Sequence, residues 1–376
     1  MPSRNGLRVV FAGGGTGGHL YPAIAIADEL RAREGGASAF VGTPDRLEAA
    51  IVPKAGYPLH TIAGRPLARQ LSPELLRTLG ANLAGTLQSV FLLRRLRPDL
   101  VIATGGYVCF PFVLAARILR GLRMCRAPIV LLEPNAAPGL TNRLLAPLVD
   151  EVWGAFADGD PRFSGKYVHT GVPVRGALRA LPPRDRATAH FGLDADRKTL
   201  LAMGGSQGAR SINDALIGLV QRNGLPPGWQ LVCVTGEREY ARVRAAMEGP
   251  TIVVRPYLDD PSEGYAAADL VLARAGASTL GELVSVGKPA ILVPYPFAAD
   301  DHQAVNARRF AATGAAVVVA DREVEAGSLQ PVLAETVVPQ RLEALRTAAE
   351  GLRAGGDPLA TIIARVDRLT ARKKQP

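Results

Sequence analysis

Along the chain, short apolar runs alternate with longer stretches in which apolar residues recur every three or four positions. Leu7–Ala12 reads as a buried strand, followed by a glycine-rich loop and a helix over Leu20–Arg33. Ala39–Val41, Leu100–Ala103 and Ile129–Leu132 are further strand candidates. Continuous apolar runs separated by amphipathic segments are the pattern of parallel strands buried on both faces, with helical crossovers between them. The scheme then repeats. Thr199–Met203 predicts a strand, Gly204–Gly208 a loop and Ala209–Val220 a helix. Strands follow near Leu231–Val234, Thr251–Val254, Leu270–Leu272 and Ala290–Val293. Between Pro173 and Arg186 the pattern is broken by Pro182, Pro183 and several charges, which marks a boundary. The expected fold class is α/β, with two doubly wound Rossmann-like domains around a cleft. The expected division is 1–172, 173–355 and a final helix in 356–376 that returns toward the first domain. In that last stretch Asp357 is placed to cap and Pro358 to open a helix, with Leu359, Ile362, Ile363, Val366 and Leu369 on one face.

Composition narrows the classes. With 376 residues, 48% of them hydrophobic, the chain is long enough for two or three packed domains and too apolar for a mainly disordered protein. Glycine and proline are abundant but show no triplet period, which excludes a collagen-like chain. Cys109, Cys125 and Cys233 form no CxxC pair, so neither a disulfide framework nor a zinc site is expected and a reducing cytosol fits. No apolar leader segment is visible at the N-terminus. The longest uncharged runs, Thr78–Leu93 and Leu100–Ala116, fall short of the roughly 18–20 residues that span a bilayer. A net charge of +10 invites nucleic acid, anionic lipid or phosphorylated substrates. Aromatic residues are only 5% and no RNA-stacking motif appears, so no nucleic-acid partner is expected.

Three loops carry the candidate chemistry. The first, GGGTGGH, runs from Gly13 to His19. Glycines let backbone amides approach an anion, and a helix N-terminus adds a partial positive charge. No lysine follows, which disfavours a nucleotide triphosphatase loop. A dinucleotide site stays open, as does a plain tight turn. The second, TGGY, spans Thr104 to Tyr107 and by itself is equally compatible with a turn. The third, GGSQGA, spans Gly204 to Ala209; Ser206 can cap a helix or donate to a phosphate. Further on, Ser278 and Thr279 lie near a helix start with Glu282 one turn in, where a carboxylate can accept from two sugar hydroxyls or simply be solvated. Gln303 and Asn306 share a helical face, and an amide suits sugar hydroxyls.

Together these stretches resemble the MurG family, peripheral membrane transferases that convert lipid I to lipid II in peptidoglycan synthesis. The resemblance rests on GGGTGGHLYPAIAIA, TGGYVCFP, EPNAAPGLTNR, TGVPVR, GGSQGA and RAGASTLGELVSVGKPAILVPYPFAADDHQAVNAR, in that order. It implies a GT-B fold and an inverting transfer of N-acetylglucosamine (GlcNAc) from UDP-GlcNAc to the C4 hydroxyl of the lipid-linked N-acetylmuramic acid. It thereby implies a part in cell-wall biogenesis, cell shape and division. On the donor it places Thr16, Gly17, Gly18, Asn135, Arg175, Ser206, Leu258, Gln303 and the stretch Ala277, Ser278, Thr279, Leu280, Gly281 and Glu282. Ser206 would meet the diphosphate, Leu258 the uracil, Glu282 the ribose and Gln303 the sugar. On the acceptor diphosphate it places Gly14, Gly15, Gly105, Gly106 and Tyr107. The first domain would take the acceptor and the membrane, the second the donor. Two departures stand out: Leu132-Glu133-Pro134-Asn135 where the family often has HEQN, and GVPVR at Gly171–Arg175 where it often has GNPVR.

His19 is the leading general base, since the helix dipole favours a neutral imidazole at a helix start; a ring that only orients the acceptor is the alternative. No cofactor or metal is expected, UDP-GlcNAc being a substrate. The Asp158–Asp160 and Asp194–Asp196 strings read as solvated loop acids. Leu75, Leu79, Leu83, Leu87 and Phe91 repeat every four residues among Arg65, Arg69, Arg77, Arg94, Arg95 and Arg97, which suits either anionic lipid or an ordinary core-facing helix. The expected location is the cytoplasmic face of the cell membrane. The rivals are another GT-B enzyme with a lipid acceptor, a non-catalytic nucleotide-sugar sensor, and an NAD-dependent dehydrogenase.

Overall fold

A computed structural model describes residues 6–33, 36–66, 73–205, 208–325 and 327–371. Contacts divide the chain into two units, one running up to Arg175 and resuming at Asp357, the other Gly176–Gly356.

The first unit holds seven strands: β1 Arg8–Gly13, β2 Ala37–Gly42, β3 Leu59–Thr61, β4 Leu100–Gly105, β5 Ile129–Glu133, β6 Glu151–Gly154 and β7 Tyr167–His169. All pair in parallel in the order β3-β2-β1-β4-β5-β6-β7. Between them run α1 Gly17–Ala32, α2 Leu47–Lys54, α3 Pro73–Leu96, α4 Cys109–Gly121 and α5 Leu140–Leu145. The central strands are apolar throughout because helices cover both faces. In β1, Val9 and Phe11 enter one core layer, while Val10 and Ala12 enter the other.

The second unit repeats the plan with α6 Arg184–Phe191, β8 Lys198–Met203, α7 Arg210–Arg222, β9 Trp229–Val234, α8 Tyr240–Met247, β10 Ile252–Arg255 and α9 Pro261–Ala267. It continues with β11 Leu270–Ala273, α10 Ala277–Val286, β12 Ala290–Leu292, α11 His302–Ala311, β13 Ala316–Val318, α12 Asp321–Glu325, α13 Leu329–Thr336 and α14 Pro339–Ala354. Its parallel sheet is ordered β10-β9-β8-β11-β12-β13. The strand order therefore reverses between β1 and β4 in one sheet and between β8 and β11 in the other. At such a point the loops leaving neighbouring strands part to opposite faces and open a crevice at the carboxyl ends.

The final helix, α15 Pro358–Ala371, belongs to the first unit. Asp357 accepts from the Leu359 amide at 3.0 Å, and Leu359, Ile362, Ile363, Val366 and Leu369 join the β1 core. Arg365 forks onto Glu151, with Nε at 3.1 Å from Oε2, and Glu151 also accepts from Trp153 Nε1 at 2.9 Å.

Helix α3 reverses the usual amphipathic pattern. Among its described residues, Thr78, Asn82, Gly85, Thr86, Ser89 and Leu93 are buried, whereas Leu76, Leu83 and Phe91 are 74%, 64% and 71% exposed. Small polar residues face inward because the helix sits close to the chain beyond β3. A Cβ at Gly85 would fall 1.9 Å from the Ala63 carbonyl oxygen. Thr86 and Ser89 satisfy their hydroxyls on the Asn82 and Gly85 carbonyls, and Asn82 Oδ1 accepts from the Arg65 amide at 3.1 Å. The core-facing alternative for this helix is thereby overturned: its apolar stripe is outside. Leu75 is half-buried, so Leu76 takes its place in that stripe. Ser72 and Arg69 lie outside the described residues.

Candidate active site

The strand-to-helix turn after β1 lies at the first switch point. Helix α1 begins at Gly17, with Thr16 as its cap residue, so Gly17, Gly18 and His19 form the first helical turn instead of ending the loop. The His19 and Leu20 amides return to the Thr16 carbonyl at 3.2 and 3.3 Å. The amides of Gly17 and Gly18 are those at the open end of the helix. Gly15 adopts φ +86°, and its amide donates to Glu48 Oε2 at 2.9 Å. This corrects the expectation that Gly15 offers its amide to an anion: that amide is committed to a protein carboxylate.

Glu48, in the first turn of α2, is fully buried. Its Oε1 accepts from the Thr43 amide at 3.0 Å and from the Thr43 hydroxyl at 2.7 Å. A Cβ at Gly14 would lie 2.4 Å from Glu48 Oε1, and one at Gly42 would lie 2.6 Å from its Cγ. The glycines thus make room for an internal carboxylate. Sequence reasoning missed it, because an acid at the start of a helix reads as a solvated or dipole-complementing residue.

The TGGY loop leaves β4, the neighbouring strand, and packs directly on the first loop. A Cβ at Gly106 would lie 2.7 Å from the Gly14 carbonyl oxygen, and one at Gly105 would lie 2.5 Å from His19 Cε1. The imidazole therefore rests on the bare backbone of Gly105. Cys109 fastens the loop: its thiol bonds the Ala12 and Gly105 carbonyls at 3.0 and 3.1 Å, and burial pushes its pKa up to about 12. Cys109 is a neutral structural thiol. Tyr107 is half-buried beside Gly64.

Two further candidates belong to this unit. Arg175 lays its guanidinium over the ring of Tyr21, 5.1 Å from the centroid, beside the first turn of α1. Asn135 donates to Glu133 Oε1 through its amide at 2.9 Å and through Nδ2 at 3.1 Å, while Asn142 donates to Glu133 Oε2 at 2.7 Å. Burial of Glu133 outweighs these donors and raises its pKa to about 7.

In the second unit the GGSQGA turn follows β8. Gly205 and Gly208 have φ of +88° and +77°, and a Cβ at Gly208 would strike the Thr235 carbonyl oxygen at 2.0 Å. Asn213 donates to that same carbonyl at 3.1 Å. Ser206 lies outside the described residues. Across the switch point, α10 starts after β11 with Gly276 as cap, so Ala277, Ser278, Thr279 and Leu280 form its first turn and Gly281 and Glu282 follow in the second. The Ser278 hydroxyl is buried and has no hydrogen-bond partner among the described residues. Glu282 accepts from the phenol of Tyr265 at 2.8 Å. Leu258 lies in the turn before α9, with its side chain over Gly264.

Gln303 begins α11. Its Oε1 accepts from the Tyr295 amide at 3.0 Å, which leaves the amide nitrogen as the donor end. Immediately before it, Asp300 and Asp301 both adopt left-handed backbone, φ +52° and +53°, a strained pair of a kind that costs about 1–3 kcal/mol per residue. Asn306 departs from expectation: it is fully buried and donates to the Ala275 carbonyl at 3.3 Å, tying α11 to the loop before α10. Beneath the switch point, Arg274 bonds Asp321, the Ser211 hydroxyl at 2.8 Å and the Val293 carbonyl at 3.2 Å. These three side chains are far apart in sequence, and no local pattern pointed to them. Both Asp-x-Asp strings are held locally: Asp160 accepts from the Arg162 amide at 2.9 Å, and Asp194 from the Asp196 amide at 2.9 Å.

Comparison with known proteins follows this geometry closely. Residues 9–153 match the glycosyltransferase family 28 N-terminal domain, and residues 199–355 the glycosyltransferase family 28 C-terminal domain. A UDP-N-acetylglucosamine–N-acetylmuramyl-(pentapeptide) pyrophosphoryl-undecaprenol N-acetylglucosamine transferase of Desulforudis audaxviator is 42% identical over 92% of this chain and 94% of its own length. The protein of the same name from Moorella thermoacetica is 44% identical over 92% and 95%. The crystal structure of Acinetobacter baumannii MurG superposes with a TM-score of 0.73 at 27% identity, over 97% of this chain and 99% of that one. The chain belongs to the MurG family. Its fold is GT-B, and it is a glycosyltransferase. Both departures from the usual MurG motifs are accommodated locally. Pro134 takes no donor from the Glu133 site, which is bonded by Asn135, Asn142 and the Gly139 backbone. In GVPVR, Val172 and Val174 are buried and Gly171 adopts φ +74° against Pro358.

Proposed function

We propose that this chain moves GlcNAc from UDP-GlcNAc to the C4 hydroxyl of N-acetylmuramic acid in undecaprenyl-diphosphate-linked lipid I, forming lipid II with inversion at the sugar carbon. What supports this above all is the placement of the motifs of the resemblance: two turns flank the switch point of each sheet, and His19 is seated between the first two. The first unit takes the acceptor. The loop built by Gly14, Gly15, Gly105, Gly106 and Tyr107 receives its diphosphate beside the open end of α1. Neutral His19 accepts the proton of the C4 hydroxyl as that oxygen bonds to C1 of GlcNAc. The C1–O bond to the diphosphate breaks, and its electron pair leaves on UDP.

The second unit takes the donor: Glu282 on the ribose hydroxyls, Leu258 backbone on uracil, Ser206 and the α10 turn with Ser278 and Thr279 on the diphosphate, and the Gln303 amide on the sugar. The buried hydroxyl of Ser278, unpartnered among the described residues, supports a polar ligand there. The resemblance adds Thr16, Gly17, Gly18, Asn135 and Arg175 to the donor set, with the Arg175 guanidinium as the cation for the leaving diphosphate. With that charge met by arginine and helix amides, no step calls for a cofactor or metal. Loss of activity in a chelator would overturn that part. The decisive assay is radiolabelled UDP-GlcNAc with a lipid I analogue: a labelled disaccharide product is expected, and UDP-GlcNAc hydrolysis alone would sink the reading.

No helix among the described residues is long and apolar enough to cross a membrane. We place the protein peripherally on the cytoplasmic membrane face through α3. Its outward Leu76, Leu79, Leu83, Leu87 and Phe91 are joined by exposed Ile118, Leu122 and Met124 at the end of α4, which packs along it. Exposed Arg77, Arg94, Arg95, Arg97, Arg117 and Arg123 surround them. An apolar stripe bordered by arginines fits an anionic lipid surface. Pelleting with anionic liposomes should fall with salt and on replacing Arg94, Arg95 and Arg97 by Glu; unchanged pelleting rejects this surface.

A further inference from the structure

Tyr265 is a residue that no motif brought forward. It sits on α9, is wholly inaccessible to solvent, and sends its hydroxyl to Glu282 Oε2 on the neighbouring α10 at 2.8 Å. A buried phenol has to place its proton on an acceptor, and here that acceptor is the carboxylate assigned above to the ribose. The bond is charge-assisted, and the tyrosine that makes it has its ring locked in the core. The same short helix carries Gly264, against which Leu258 of the uracil turn is seated: a Cβ at Gly264 would come within 2.8 Å of Leu258 Cδ1. One helix thus supports both ends of the nucleoside subsite.

We propose that Tyr265 is a positioning residue for nucleotide selection. It fixes the plane and rotamer of the Glu282 carboxylate before the donor arrives, so that both ribose hydroxyls meet an acceptor already in place. Freezing a glutamate side chain during folding spares that entropy at the moment of binding. The proposal rests on the assignment of Glu282 to the ribose, and the two can fail separately.

The test uses Tyr265→Phe, which keeps the ring and its packing and removes only the hydroxyl. Binding of UDP is compared with binding of a UDP analogue lacking both ribose hydroxyls. The wild-type enzyme should prefer UDP. In Tyr265→Phe, UDP should weaken by about 2–10-fold, the loss expected for one hydrogen bond, while the analogue changes less than about twofold. The preference therefore shrinks, and KM for UDP-GlcNAc rises with kcat nearly unchanged. In a Glu282→Ala background, Tyr265→Phe should have no further effect on UDP. Equal weakening of both ligands, or an unchanged preference, overturns the positioning role. A wild-type enzyme that does not distinguish the two ligands overturns the ribose assignment of Glu282 first, and the role of Tyr265 with it.

Discussion

The two glycine-rich turns occupy equivalent places, each at the switch point of a parallel sheet, yet they are held by different means. The turn after β1 is gripped by side chains. Glu48 takes the Gly15 amide, the TGGY loop leans on Gly14, and His19 lies on Gly105. The turn after β8 is gripped by backbone, with Gly208 pressed on the Thr235 carbonyl that Asn213 also bonds. Glycine therefore serves two ends. In the first turn it clears space for a carboxylate and an imidazole from the protein itself; in the second it lets one strand end approach another. The first turn is built around side chains of the protein itself, the second around a close backbone approach.

The sharpest way to break this contrast is His19→Ala. It should lower kcat by roughly 10²–10⁴-fold while leaving KM for UDP-GlcNAc close to wild type, because the proposed reaction assigns the imidazole to the acceptor hydroxyl. A near-wild-type kcat in steady-state kinetics removes His19 from the reaction. Next comes Glu48→Gln, which keeps the volume but turns an amide donor toward at least one of the three donors around that site. An unsatisfied buried donor costs about 1–3 kcal/mol, so the melting temperature should fall. A displacement of the loop by about an ångström should lower kcat by up to about 100-fold. An unchanged kcat would mean that the turn keeps its shape without the carboxylate.

The comparison is sharpened further by one substitution made in the TGGY loop that packs on the first turn and in the second turn itself. Gly105→Ala meets His19 at 2.5 Å as well as the strain of φ +108°, whereas Gly205→Ala, at φ +88°, meets nothing within 4 Å among the described residues. The former should damage kcat and stability together; the latter should cost only the backbone term, about 1 kcal/mol. Equal effects would erase the distinction. The smallest effect concerns pH. Glu133 has its pKa raised by burial from 4.5 to about 7. Its stabilising contribution is therefore complete below about pH 4.5 and is lost as pH rises through 7. Asn142 Oδ1 is buried and has no partner among the described residues, so a flipped Asn142 amide can serve a neutral glutamine. Glu133→Gln should flatten the decline in melting temperature between pH 5 and 8; an unaltered slope would show that Glu133 is ionised throughout.

Much of the frame was readable from the chain. The central strands were found because burial on both faces makes them continuously apolar, and α15 because Asp357, Pro358 and five apolar residues agree on one helix. The strands that went unseen, β3, β6, β7 and β13, are three or four residues long and lie at or next to sheet edges, where too little periodicity accumulates. Helix α3 shows the limit of pattern reading. Its apolar repeat was visible, but a repeat has the same period whether its stripe faces core or solvent. The side was decided by Gly85 and by the inward threonines and serine that let the helix approach the chain at Ala63.

By itself, the sequence determined the α/β class, the repeated plan of two halves, and the family, because local propensity and ordered motifs are written in neighbouring residues. Tertiary structure alone decided that Glu48 claims the Gly15 amide, that His19 rests on Gly105, that Tyr265 holds Glu282, and that Arg274 joins Ser211 to Asp321. Each of these pairs is separated by many residues and joined only when strands of different sequence position become neighbours in a sheet. Hydrogen bonding and close packing act over a few ångströms of space, and distance along the chain does not report that separation.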